Sequence, residues 1–98
     1  MSGISKLFIA GNLGRSPVLQ KSKNGKSYTF LSIATHRRSF NKETKTWDEF
    51  TDWQSVIVWG HVAENCVRFL EKGSPIAVEA WLEVTSEGKT LIRADEVQ

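Results

Sequence analysis

Trp53, Ser55, Ile57 and Trp59 occupy alternate positions of the run Asp52-Trp53-Gln54-Ser55-Val56-Ile57-Val58-Trp59-Gly60. In a β-strand every second side chain shares a face, so these four line one surface while Gln54, Val56 and Val58 line the other. At ~3.3 Å per residue the two indoles stand roughly 20 Å apart. That is too far to clamp one ring, but it suits two separate stacking platforms along an extended polymer. Every nucleobase has a π-face, and stacking on an aromatic side chain is worth ~1–3 kcal/mol whichever base it is. Cations stand nearby in sequence at Arg37, Arg38, Lys42 and Lys45, interleaved with Phe40 and Trp47. Spaced indoles beside guanidinium and ammonium groups describe a surface for single-stranded nucleic acid. The competing reading, in which both tryptophans fill a core, suits a lone Trp better than two on one face.

Such a strand needs a scaffold. Lys6 to Ala10 reads as a short apolar strand, followed by Gly11-Asn12-Leu13-Gly14, where two glycines permit a bulge or a positive φ and a bend is expected. Val18 to Lys21 follows Pro17, and Asn24-Gly25 is a hairpin-turn dipeptide. From Lys26 to Thr35 the pattern alternates, with Thr29, Leu31, Ile33 and Thr35 on one face and Tyr28, Phe30 and Ser32 on the other. His36 to Trp47 breaks the pattern and is predicted to be a long loop. Its cations would reach phosphates, and Phe40 and Trp47 would either stack on bases or fold back onto the scaffold. Val62, Ala63, Cys66, Val67 and Leu70 recur at helical spacing, and Lys72-Gly73-Ser74-Pro75 stops the helix they imply. Its apolar stripe is expected to plug one end of a barrel. Strands are predicted over Ile76 to Val84 and Thr90 to Val97, joined at Ser86-Glu87-Gly88-Lys89. Trp81, flanked on its face by Glu79 and Glu83, is read as a subunit-contact or barrel-surface residue, because carboxylates repel phosphate. Three strands, a helix and two strands give an all-β class: a five-stranded OB-fold Greek-key barrel with one α-helix between strands 3 and 4.

A chain of 98 residues is expected to form one domain over 1–98, since no repeat, linker or low-complexity tract divides it. Hydrophobic residues at 40% and charged residues at 24% exclude a largely disordered chain. The net charge of +2 means that any nucleic-acid footprint comes from local clustering. Cys66, the single cysteine, cannot close an intrachain disulfide, and it falls among helical apolar positions as a small buried thiol, consistent with a reducing cytoplasm. No apolar run approaches a membrane span and the N-terminus lacks a signal-peptide pattern, so no membrane partner is expected. There is no Cys/His cluster, phosphate-cradling glycine loop or nucleophile–base pair, so no cofactor, no metal and no catalytic residue is assigned. The enzymatic alternative is a metal-dependent nuclease built on Asp48, Glu49, Asp52 and His36 or His61. Against it, an acidic lead-in to an exposed strand is ordinary protection against aggregation. A protein-interaction barrel anchored by Trp53, Trp59 and Trp81 is a further alternative.

The order of these segments is similar to that of the bacterial and phage single-stranded DNA-binding protein family, along nearly the whole chain. The resemblance is carried by Gly11-Asn12-Leu13-Gly14 with Pro17, Asn24-Gly25, Ile33-Ala34-Thr35, Thr51-Asp52-Trp53, Val58-Trp59-Gly60 and Leu70-Glu71-Lys72-Gly73-Ser74. It implies a cytoplasmic homo-oligomer, a tetramer before a dimer, that coats single-stranded DNA in replication, recombination and repair, protecting it without catalysis. Trp53 matches a stacking tryptophan of the family and Trp59 a stacking phenylalanine. Lys6, Lys42 and Lys72 match basic positions along the DNA path, and a further stacking tryptophan falls at Ser39, with Phe40 beside it as a substitute. The stacking set is therefore Trp53, Trp59, Phe40 and Trp47, and the phosphate-contact set Lys6, Arg37, Arg38, Lys42 and Lys72. The sequence departs from the family at a shortened hairpin around Ser86 to Lys89, at Glu83 and Thr85 in place of arginines, and at Ser55 and His61 in place of cations. Weaker, strongly salt-dependent binding is expected from these changes. The sequence ends at Gln98 without an acidic tail for recruiting replication or recombination proteins. A compact phage, plasmid or accessory form is thus expected, or a DNA-binding core, with a primosome-type accessory protein as the nearest alternative.

Overall fold

The computed structural model describes residues 6–97. Six strands and one helix follow in the order β1 (Lys6–Leu13), β2 (Gln20–Lys21), β3 (Ser27–Asn41), β4 (Thr46–Trp59), α1 (Gly60–Phe69), β5 (Pro75–Val84) and β6 (Thr90–Val97). The sheet order is β1-β5-β6-β4-β3-β2, and a further β1–β3 pairing closes the five long strands into a barrel. The two-residue β2 only edges β3, so α1 lies between the third and fourth barrel strands, as predicted. All pairings are antiparallel except β4 with β6, the parallel contact that Greek-key closure requires.

Alternation builds the interior. Thr29, Leu31 and Ile33 from β3 and Val56 and Val58 from β4 point inward and are buried, together with Ile9, Leu13, Ile76, Val78, Ala80 and Ala94. Truncating one of the large aliphatic members, such as Leu31, to Ala should cost about 2–5 kcal/mol. Helix α1 packs against β3, β4 and β6 and drops Ala63 and Cys66 into this core, which closes the barrel end. Burial pushes the Cys66 thiol above its ordinary pKa, so it stays protonated and apolar.

The bend in β1 takes a different form from the one expected. β1 continues through Leu13 and passes from β5, along Lys6 to Asn12, to β3 at Asn12 and Leu13. Gly11 is required there by proximity and not by a positive φ: a Cβ at this position would overlap the carbonyl oxygen of Ala34. The predicted strand from Val18 shortens to Gln20–Lys21.

The larger correction concerns His36 to Trp47. In place of a long loop, β3 runs on to Asn41 and β4 begins at Thr46, with every pair from Tyr28–Trp59 to Asn41–Thr46 in register. The two strands leave the barrel as a ribbon that contributes to molecular extents of 54 × 38 × 21 Å. Only Lys42 to Lys45 turn. Asn41 stabilises that turn, its side-chain Oδ1 accepting from the Glu43 and Thr44 amides and its backbone carbonyl from the Lys45 amide. Lys45 sits in the left-handed region at φ 59°.

Candidate nucleic-acid interface

The register of β3 and β4 assigns each side chain a face. One face, here the front, carries Tyr28, Phe30, Ser32, Ala34, His36, Arg38 and Phe40 opposite Trp59, Ile57, Ser55, Trp53, Thr51, Glu49 and Trp47. It runs without interruption from the barrel wall to the tip of the ribbon. Trp53 and Trp47 are more than half exposed, at 60% and 56%, and Phe40 is exposed as well. Trp59 is more covered, at 37%, because Tyr28 leans against it with ring centroids 4.9 Å apart. At the tip, Phe40 and Trp47 meet edge to face at 5.3 Å, and the Arg38 guanidinium lies 5.0 Å from the Trp47 ring centre. Three aromatic stations are thus spread along one surface: Trp59 with Tyr28, Trp53, and Trp47 with Phe40.

Trp53 has a built seat. A Cβ on Gly14 would overlap the six-membered ring of the indole, so the ring is laid directly on glycine backbone. That backbone is itself fixed, the Gly14 amide donating to the Ser32 carbonyl at 2.9 Å. Next to it, the Leu13 amide donates to the Ser74 carbonyl and the Gly73 amide to the Leu13 carbonyl. The Asn12 side-chain amide donates to the Gly73 carbonyl, and the Lys72 amide to Ser16 Oγ. Two segments far apart in sequence, 12–16 and 72–74, therefore meet beside the glycine on which Trp53 rests. Nothing in the sequence distinguishes Gly14 as a seat from Gly14 as a bend.

This geometry is accompanied by relatedness in sequence. Residues 4–94 match the family described as the single-strand binding protein family. The chain belongs to that family. A curated relative, single-stranded DNA-binding protein 1 of Chlorobaculum tepidum, is 29% identical over 84 residues, covering 86% of this chain and 51% of the relative. The chain spans about half the length of that relative. Among solved structures, the crystal structure of a deletion mutant of the single-stranded DNA binding protein from Thermus aquaticus aligns with a TM-score of 0.79 at 24% identity, over 95% of this chain and 48% of that one. At that identity the likeness carries the fold, an OB barrel.

In this family member the residues singled out from sequence are not all brought together. Trp53, Trp59, Phe40, Trp47 and Arg38 share the front face. Arg37 does not: it points to the back of the ribbon, donates from Nε to Asp52 Oδ2 at 2.8 Å and lies 4.6 Å from the Phe50 ring centre. Adjacent strand residues face opposite ways, so the two arginines cannot serve one path. Lys6 is placed on the β1–β5 wall, 3.3 Å from Glu79 and 5.6 Å from the Trp81 ring centre. Lys42 lies in the turn at the tip. Lys42 and Lys72 have no ion-pair partner among the described residues. Ser39 is on the back with Arg37, whereas Phe40 is on the front.

The same alternation divides the groups named for a nuclease. Asp48 and Asp52 face back, Glu49 and His36 front, and His61 belongs to α1. Among the described residues no group of three or more His, Cys, Asp or Glu side chains is placed to hold a metal ion. No helix of the described residues is long and apolar enough to cross a membrane. Tyr28, packed against Trp59 on the front face, is a further candidate that the sequence reading does not include. Its signal was available in the outward face of the Tyr28-Phe30-Ser32 alternation.

Proposed function

We propose that this protein binds single-stranded DNA along the front of β3 and β4, with little sequence preference, and protects it during replication, recombination and repair. The observation that carries the reading is the continuity of that face: separate exposed aromatic stations on a single ribbon, with Arg38 at one of them. Trp53, Trp59, Phe40 and Trp47 hold unstacked bases, each worth ~1–3 kcal/mol. Arg38, Lys42 and Lys72 collect phosphates by releasing counterions. Arg37 contributes through the ribbon's rigidity, and Lys6 lies off the path. The protein acts without catalysis, as one domain, in the cytoplasm. It works as a homo-oligomer, a tetramer before a dimer. Phe8, 67% exposed on the β1 wall, supports that reading.

The test is a fluorescence titration with oligo-dT and with duplex of the same length, each at two salt concentrations, beside a solution mass. Quenching by oligo-dT that weakens steeply with salt, and little response to duplex, is expected. Equal binding of both forms, or no salt dependence, would contradict the proposal.

A further inference from the structure

On the barrel wall beyond Trp59, a cavity of about 490 Å³ is lined by Lys26, Trp59, Glu83, Leu91, Arg93 and Asp95. Its wall is the indole that ends the front face, so a strand lying on that face reaches it. Its charges are two cations and two carboxylates, which sum to zero. A balanced set gives little attraction to a phosphate, whose negative charge the carboxylates would oppose. It does supply donors and acceptors to the edge of a base.

Arg93 is held in place there. One terminal guanidinium nitrogen lies 3.1 Å from Glu83 Oε1, and Nε lies 3.7 Å from Asp95 Oδ1, beyond hydrogen-bond reach. Nε has lost almost all contact with solvent and has no hydrogen-bond partner among the described residues. The register fixes the backbone beneath it, with Arg93 opposite Trp81 on one side and Ile57 on the other. A guanidinium fork and a carboxylate are therefore adjacent beside a stacking surface. Guanine presents two acceptors, O6 and N7, on one edge and two donors, N1–H and the 2-amino group, on the next. Arginine reads the first pair and a carboxylate the second. Adenine and thymine match fewer of these groups.

We propose that this cavity is a base-reading subsite that prefers guanine, placed at the Trp59 end of the strand path. The inference rests on the proposed binding of single-stranded DNA and adds a local preference to it. The base stacks on Trp59, Arg93 donates to O6 and N7, and Asp95, the carboxylate not engaged by the guanidinium, accepts from N1–H and the 2-amino group.

The experiment compares oligo-dT with oligonucleotides of the same length carrying isolated dG, dC or dA substitutions, by competition at one salt concentration. Roughly tenfold tighter binding of the dG oligonucleotide is expected, the order of one good bidentate base contact. Arg93→Lys and Asp95→Asn should each abolish the preference while the proteins still titrate with oligo-dT. Equal affinity for all four oligonucleotides, or a dG preference that survives either substitution, would overturn the subsite alone. A preference for dC over dG would overturn its assignment to guanine. No binding of any oligonucleotide would overturn the subsite and the proposed function together.

Discussion

The two faces of the β3–β4 ribbon are made from the same kinds of residue and arranged to different ends. Each sets an arginine over an aromatic ring, Arg38 over Trp47 on the front and Arg37 over Phe50 on the back. On the back, the guanidinium is hydrogen-bonded to Asp52 at 2.8 Å, and Asp48 accepts from the Asn41 side chain. On the front, the nearest carboxylate oxygen to Arg38 is Glu49 Oε1 at 3.9 Å, and Glu49 is largely exposed. An exposed pair of that kind is worth only ~0–1 kcal/mol and is readily exchanged for a phosphate. The front also continues onto the barrel wall through Trp53 and Trp59, whereas the back runs into the buried Ile33 and Leu31. The period of two thus converts neighbours in sequence into separate roles: Arg37 braces the ribbon at its root and Arg38 is available to a ligand.

The largest expected effect falls on the middle of the front face. Trp53→Ala should weaken oligo-dT binding by ~1–3 kcal/mol with little change in salt slope, measured by titration across a salt series. Gly14→Ala is the sharper probe, because it leaves the indole in the protein and only displaces it from its seat. We expect a loss of about 1 kcal/mol of binding with thermal stability nearly unchanged, since a side-chain ring and not backbone must move. A Gly14→Ala protein that binds as well as the parent would show the seat to be unnecessary.

Next comes the tip. Trp47→Ala should cost about 1 kcal/mol of binding, while Phe50→Ala on the opposite face should leave affinity within measurement error; a larger loss from Phe50→Ala would reverse the assignment of faces. The arginines should separate by a different observable. Arg38→Ala should flatten the plot of log affinity against log salt by ~0.7, the loss of one phosphate contact, and Arg37→Ala should leave that slope alone. Smallest of all, Lys45→Gly removes a side chain from the left-handed region and should stabilise the protein by up to about 1 kcal/mol in denaturant unfolding.

The barrel was legible because its strands bury one face. Leu31, Ile33, Val56 and Val58 recur at every second position of their strands, and burial is what imprints that period on a sequence. The ribbon was not legible for the same reason. From His36 to Asp52 the strands stand clear of the core, both faces are mostly exposed, and no apolar alternation is needed, so His-Arg-Arg-Ser-Phe-Asn reads as a loop. Read as a loop, the segment puts Arg37 and Arg38 in one patch, although strand geometry parts them. Trp53 stands out in the sequence as a stacking candidate by its spacing to Trp59. Its support on Gly14 does not, since a close approach between segments 39 residues apart leaves no local pattern.

The central claim is that the nucleic acid path follows the front of β3 and β4, from the tip of the ribbon to Trp59. Photocrosslinking of 5-iodouracil-substituted oligo-dT, followed by mapping of the adducts by mass spectrometry, tests it most directly. The account predicts adducts at Trp53, Trp59 and the Phe40–Trp47 pair, all competed by unlabelled oligo-dT. Adducts concentrated at Phe50 on the back of the ribbon, or at Phe8 on the β1 wall, would contradict it.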